Sequence, residues 1–295
     1  FFKQKTAYEI RPRDWSSDVC SSDLSAPASL PTSPESAPQA LETPILLEVS
    51  LPDLLRAAVP DDYVAAVPPA ASPFEGAQVV SVYGYPGICF MGELGCHADP
   101  ADAIAKARDL ARAHDAANGD RAVRPAVHLI VAVAQPHPGP DGSYLQWMSD
   151  ETIREWVEAA RRERVLLFLD VQIGWSDPLR EMRRLDAALR EPFVHLALDP
   201  EFATREKGLP PGEAIGTVSA AQVNAVQGYL AALVHEHGLP RKALVLHQFK
   251  PGMLTDKPRY ADTPEVDLTI DMDGFGTPEA KLRSEEHTSE LQSRG

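Results

Sequence analysis

The feature that most constrains the fold is a short apolar run that ends in carboxylates, the stretch VHLALDPEF at Val194 to Phe202. Asp199 and Glu201 flank Pro200, which cannot donate a hydrogen bond to a sheet ladder, so we expect strand pairing to stop where the acids begin. The pattern predicts the carboxyl end of a buried strand. Other apolar runs end in the same way, which predicts that their polar ends meet in one site.

Six such runs alternate with segments that have apolar residues at helical spacing. The predicted strands cover 79–83, 126–134, 165–171, 194–202, 243–247 and 266–270, and helix-start signals stand at Asp99, Ser149, Ser176 and Ser219. Continuous apolar strands alternating with amphipathic helices predict a parallel sheet covered by helices. Polar strand ends and the lack of a Gly-rich dinucleotide motif favour a TIM-type (β/α) barrel over a doubly wound sheet. With six strands before residue 282, the barrel is expected to be truncated at its C terminus.

The two ends of the chain carry a different signal. The stretches DWSSDVCSSDL and RSEEHTSELQS resemble translated sequencing adapters, so we expect residues 1–24 and 283–295 to be unstructured artefacts. Residues 25–43 are rich in Ala, Pro and Ser without a periodic apolar face, which predicts a linker. The barrel domain is therefore expected over residues 44–282. Linkers of this kind in bacteria often follow a signal peptide or a lipidated cysteine, which predicts export and a membrane tether.

Charge and cysteine content narrow the function classes. The net charge of −15 disfavours nucleic acid and anionic membrane surfaces as partners, because both need a basic face. Outside the adapter-like ends only Cys89 and Cys96 remain, and three interpretations stay open: a disulfide of an exported protein, a metal site with His97, or two unpaired thiols. Because no further Cys/His pair completes a zinc-ligand pattern, we predict neither metal ligands nor a cofactor.

The polar strand ends form the predicted active site. We expect Asp170, Asp199, Glu201 and Asp271 to be catalytic, because glycoside hydrolysis needs one acid to protonate the leaving oxygen and a second as nucleophile or base. Aromatic rings at the same level suit stacking on sugars, so the predicted ligand is a carbohydrate or another small polar molecule. The predicted substrate-binding residues are Tyr83, Tyr85, Glu93, Gln172, Trp175, His247, Gln248 and Asp273.

Two other functions fit the same residues. The first is a catalytically inactive barrel that binds glycan or a wall partner. The second is a divalent-metal-dependent hydrolase or isomerase, with ligands from Asp170, Asp199, Glu201, His247 and Asp271. Tyr83 to Tyr85 stands where such enzymes carry His-x-His, which counts against the metal enzyme. His128 and His195 are expected to be hydrogen-bonded core histidines.

Several motifs resemble a family of uncharacterised, exported, lipoprotein-like bacterial proteins. They are YGYPG at 83–87 with MGELG at 91–95, LDVQIG at 169–174, LDPEF at 198–202, HQF at 247–249 and IDMDGFG at 270–276. The resemblance covers roughly residues 44–282 and implies a glycoside-hydrolase-like barrel in the cell envelope. It implies no catalytic residues.

Overall fold

The computed structural model describes residues 2–3 and 71–273, which hold one curved sheet of eight strands. Six of these strands are the predicted ones. The strands are β1 Phe2–Lys3, β2 Ala77–Gly84, β3 Ala122–Ala134, β4 Leu145–Trp147, β5 Leu166–Gln172, β6 Val194–Asp199, β7 Lys242–Gln248 and β8 Val266–Met272.

The order of the strands defines the architecture. Along the sheet they run β1, β2, β3, β5, β6, β7, β8, and every neighbouring pair in this series is parallel. The short β4 pairs antiparallel with the end of β3. Sequential parallel strands joined by helical crossovers form an α/β half-barrel of the TIM type, which confirms the predicted fold class.

Three helices begin after the predicted capping residues Asp99, Ser149 and Ser219, whereas the helix that starts at Pro178 is capped by Asp177, one residue after Ser176. Their bounds are α1 Pro100–Asp115, α2 Asp150–Glu163, α3 Pro178–Met182, α4 Asp186–Leu189 and α5 Ala220–His237. Asp99 and Ser149 accept hydrogen bonds from backbone N–H groups in the first turns of α1 and α2, and Ser219 with Gln222 forms a capping box on α5. The sequence predicts one helix between Pro178 and Pro192, whereas the structure interrupts it with a 3₁₀ turn at Arg183–Leu185. Tyr229 of α5 donates a hydrogen bond to Asp186 just after that turn.

Strand parity separates two faces of the sheet. Residues such as Leu169, Leu198 and Leu246 pack under the helices in the largest apolar cluster. The alternate residues point to the concave side, where a smaller cluster contains Val79, Ala126, Phe168, Ala197, Ala243 and Val245. Since side chains alternate along a strand, inward positions nearer the carboxyl ends are available for a site.

The loop after β2 is closed by a disulfide. Cys89 and Cys96 lie in two successive 3₁₀ turns, Cys89–Met91 and Glu93–Cys96, with their Cα atoms 4.2 Å apart. Of the three open interpretations the structure therefore selects the disulfide. The third residue considered for a metal site, His97, instead lies 3.9 Å from Glu93 through Nε2 and Oε1.

Some sequence predictions fall outside this description. The linker at 25–43, the start of the domain at 44–70 and residues 274–295 lie beyond the described residues. The strand β1 lies within residues 1–24, for which the sequence predicts no structure; its two residues pair with Val80 and Ser81 on the outer edge of β2. An edge strand offers unpaired backbone groups to any short segment, which accounts for this pairing. Across the described part of the chain, every helix is too short or too polar to cross a membrane.

Candidate active site

A buried cluster of titratable side chains occupies the concave side near the carboxyl ends of the strands. Each member comes from a different strand or from the residue just beyond it, and each is at most 5% exposed. On the inward face of the strands, apolar residues near the amino ends are followed by these polar groups near the carboxyl ends. The members are Tyr83 of β2, His128 of β3, Asp170 of β5, His247 of β7, Asp271 of β8 and Asp273 beyond it.

Asp170 stands between two imidazoles. Its Oδ2 atom lies 3.1 Å from His247 Nε2 and 3.3 Å from His128 Nε2. The two imidazole rings are 5.2 Å apart between centroids, so both address the same carboxylate oxygen. Burial alone raises the pKa of Asp170, but the charges and hydrogen bonds of His247 and His128 outweigh burial and hold it well below its usual range.

The other nitrogen of His247 faces two further carboxylates. His247 Nδ1 lies 3.0 Å from Asp273 Oδ2 and 3.6 Å from Asp271 Oδ2. The imidazole is thus bracketed by acids at both nitrogens. When both nitrogens carry protons, His247 donates to Asp170 on one side and to the β8 carboxylates on the other.

Tyr83 lies across the top of the cluster. Its ring meets His128 edge to face at 5.1 Å and His247 at 5.8 Å. Burial raises the pKa of Tyr83 well above its ordinary value, and the carboxylates of Asp170, Asp199, Asp273 and Glu201 raise it further, in that order. Carboxylates from β5, β6 and the segment after β8 therefore all act electrostatically on the Tyr83 phenol.

The disulfide-closed loop fixes the position of Tyr83. Gly92 has φ +117°, and a Cβ atom there would lie 2.2 Å from the Tyr83 carbonyl oxygen. A side chain at this position would therefore displace the end of β2.

Asp199 and Glu201 differ from the other acids. Asp199 caps a 3₁₀ turn at Pro200–Phe202, where its Oδ1 accepts a hydrogen bond of 3.0 Å from the Glu201 N–H. Asp199 is 3% exposed, whereas Glu201 is partly exposed. Of the four carboxylates predicted to be catalytic, Glu201 is thus the one that reaches the surface.

An aromatic pair is linked to the loop that follows Asp199 and Glu201. The rings of Tyr144 and Trp175 are 4.7 Å apart between centroids, and both side chains are partly exposed. Trp175 donates through Nε1 to Thr204 Oγ1 at 3.2 Å, three residues after Glu201. Tyr144 has φ +57°, a conformation that bulky residues rarely adopt and that proteins retain mainly at functional positions.

Four predicted substrate-binding residues are held by other partners. Glu93 pairs with Lys106 of α1 at 3.0 Å, so it faces the helix layer. Gln248 shares the outward parity of Leu246 and donates to the carbonyls of Lys250 and Pro251. Tyr85 lies beyond the strand end and packs against the apolar clusters, while Gln172 Oε1 accepts from the Ala134 N–H at 2.8 Å. These contacts favour structural roles for Glu93 and Gln248.

Sequence reasoning missed two members of the site. His128 was expected to be a core histidine, yet it contacts the central carboxylate of the cluster; its inward parity with Ala126 is the signal that was present. His195 is a core histidine as expected, since its Nδ1 accepts a hydrogen bond from the Ala243 N–H at 3.2 Å. Tyr144 gave no signal, because its position depends on the β3–β4 hairpin.

Comparison with known proteins leaves the family open. No protein-family model matches the chain, and no curated protein sequence is similar to it. One solved structure with some similarity is XEG5A, a GH5 xyloglucan-specific endo-β-1,4-glucanase from a metagenomic library, in complex with cellotriose. It aligns with a TM-score of 0.26 and 16% identity over 52% of this chain and 50% of that chain, so the match spans about half of that enzyme.

Proposed function

We propose that the protein hydrolyses glycosidic bonds, with Glu201 as the general acid that contacts the substrate. The observation that carries the proposal is that the end of one strand places a partly exposed carboxylate, Glu201, two residues after a buried one, Asp199. Glycoside hydrolysis divides its work between two carboxyl groups in different environments. Glu201 donates a proton to the leaving oxygen as the glycosidic C–O bond breaks, and water adds to the anomeric carbon. Asp199 stabilises the positive charge that develops on the sugar ring and accepts the proton that the water loses.

The aromatic pair supports a carbohydrate ligand. Tyr144 and Trp175 are partly exposed, and the Trp175 indole is fixed by Thr204 and Leu209 to the loop that follows Glu201. Aromatic faces held in this way provide apolar area on which a sugar ring can stack. Within the buried cluster, His128, Asp170 and His247 have no exposed surface, so we assign these three residues no substrate contact.

The test measures reducing-sugar release from a panel of α- and β-linked polysaccharides by the full chain. We expect Glu201→Gln to lower the rate about 100- to 10,000-fold, the usual contribution of a general acid. Asp199→Asn is expected to act in the same direction. The matched control is Glu213→Gln, an exposed glutamate further along the same loop, which should keep the wild-type rate.

Ligand binding measured by calorimetry separates the alternatives. Binding without turnover, weakened by Trp175→Ala, would replace hydrolysis with the glycan-binding function. Turnover that survives both carboxylate substitutions would overturn the assignment of Asp199 and Glu201. Export and attachment to the cell envelope remain part of the proposal, supported by the Cys89–Cys96 disulfide, because disulfides persist in oxidising compartments.

A further inference from the structure

We propose that His128, Asp170 and His247 form a binding site for one divalent transition-metal ion beneath the proposed catalytic carboxylates. Two imidazole nitrogens and one carboxylate oxygen are a ligand set that Zn²⁺ and Fe²⁺ accept in proteins. In this chain His128, Asp170 and His247 each offer one ligand atom within 4.8 Å of the other two, and Asp170 Oδ2 faces the Nε2 atoms of both histidines.

The spacing of these atoms suits coordination. Metal–ligand bonds of about 2.0–2.2 Å in a tetrahedral arrangement place neighbouring ligand atoms about 3.3–3.5 Å apart. The two imidazole nitrogens lie 3.1 Å and 3.3 Å from the Asp170 oxygen, close to that range. Small side-chain shifts would therefore complete the geometry.

A second shell is already in place around His247. Its Nδ1 atom faces the Asp273 carboxylate at 3.0 Å, while Nε2 faces the proposed metal position. Metal-binding histidines usually donate their other N–H to a carboxylate, which fixes the tautomer and orients the ring. Asp273 is thus placed to act as an orienting residue for His247.

The environment of Asp170 provides an independent observation. The side chain is fully buried, and its Oδ1 atom accepts no hydrogen bond from any residue in the described part of the chain. A buried carboxylate oxygen without a donor is unfavourable, whereas a cation bound to the same carboxylate compensates its charge. Within the described residues, Asp170 makes its charged contacts to imidazoles alone, so a divalent ion would add the missing positive charge.

The experiment uses Co²⁺ as the probe. The full chain is produced in Co²⁺-supplemented medium, purified without chelator, and examined for metal content and visible absorption. We expect about one Co²⁺ per chain, with the absorption bands of nitrogen and oxygen ligands. His128→Gln and His247→Gln should each lower the Co²⁺ content at least 10-fold, while the control His195→Gln, another inward histidine of the same sheet, should retain it.

A further variant distinguishes the loss of metal binding from the loss of the fold. Asp273→Asn removes no ligand and should weaken Co²⁺ affinity about 10- to 100-fold. A wild-type protein that folds with less than about a tenth of an equivalent of Co²⁺ would overturn the proposal, and the cluster would then be closed by a proton on His247. Equal metal loss in His195→Gln would overturn it too. Because metal content is measured without substrate, this result is independent of whether glycosides are hydrolysed.

Discussion

The carboxyl and amino ends of the concave face are built from the same strands, but their buried polar side chains have different kinds of partner. At the carboxyl ends, His128 and His247 contact the buried carboxylate of Asp170. At the amino ends, His195 receives a single backbone hydrogen bond, and burial followed by the charge of Lys242 lowers its pKa to about 3. Inward histidines therefore take part in a charged network only where the neighbouring strands supply acids.

Phe168 marks the boundary between the two ends. Its ring lies 5.7 Å from the His128 ring and 5.2 Å from the His195 ring, between centroids. Asp170 is two residues further along β5 and lies on the same face as Phe168. The comparison teaches that depth along a strand, and not residue type, decides whether a buried histidine belongs to a site.

The largest effect should come from removing the central carboxylate. We expect Asp170→Ala to lower the free energy of unfolding by about 3–5 kcal/mol, since it leaves two buried imidazoles without their acid. Denaturant unfolding of the full chain measures the change. Asp170→Asn, which keeps the shape, should cause a smaller loss, and the exposed Asp262→Ala should have almost none. Equal losses at Asp170 and Asp262 would contradict the network.

The amino-terminal end should show a dependence of stability on pH that comes from Lys242. Lys242 Nζ donates to the carbonyls of Glu191 and Val194, and burial lowers the pKa of this lysine to about 7. The folded state thus binds fewer protons than the unfolded state between pH 7 and 10.5, so stability rises with pH in this window. Lys242→Met should reduce the rise in stability between pH 7.5 and 9.5 by about 2.5 kcal/mol.

Chemical unfolding at a series of pH values measures this rise. The exposed Lys250→Met is the control and should leave the slope unchanged. A wild-type stability that stays flat between pH 7.5 and 9.5 would show that Lys242 keeps its charge in the folded state.

His195 should make the fold sensitive to acid. Because its pKa is lowered to about 3 in the folded state, stability is fully present above pH 6.5 and falls as the pH drops toward 3. Between pH 6.5 and pH 5, His195→Gln should reduce the loss in the free energy of unfolding by about 2 kcal/mol. Thermal melts across this range test the prediction, with the exposed His237→Gln as the variant that should behave like wild type.

The smallest effect concerns backbone strain at the two ends. Arg164 precedes β5 at the amino end with φ +53°, and Tyr144 lies at the carboxyl end with φ +57°. Arg164→Gly should stabilise the protein by about 1 kcal/mol, because glycine adopts this conformation without strain. Tyr144→Gly should gain less, since it also loses the ring contact with Trp175. A larger gain at Tyr144 would show that its ring contact with Trp175 contributes little to stability.

Much of the fold was predictable because local signals agreed with the tertiary arrangement. The six main strands were located to within about four residues at each end, and caps such as Ser149 and Ser219 were recognised from their side-chain chemistry. The 3₁₀ break at Arg183–Leu185 was not predictable from the sequence, because the contacts around it come from α5.

The acids at the strand ends could be identified from the sequence, whereas the residues that contact them could be identified less well. The ends of the predicted strands indicate Asp170 and Asp199 as site residues. Strand parity would also have excluded Gln248 from the predicted site, because Gln248 shares the outward face of Leu246. Parity placed His128 on the inward face, yet its contact with Asp170 depends on how far β3 is displaced along β5. In the observed register His128 stands opposite Phe168. That displacement is a property of the whole sheet.

The register of β3 has a consequence for length variation in this protein. Pairing with β5 slips between Ile130 and Ala132, so Val131 and Ala132 both pack on the helix side while Ile130 and Val133 both face Tyr83. The strand therefore follows one alternation before the bulge and the opposite one after it. Losing Val131 or Ala132 would remove the bulge and leave Ile130 and Val133 on the inward face, whereas losing a residue between Ala126 and Ile130 would turn one part of β3 over. Natural relatives should accordingly differ in length at the bulge or within the β3–β4 loop and keep a constant residue count from Ala126 to Ile130.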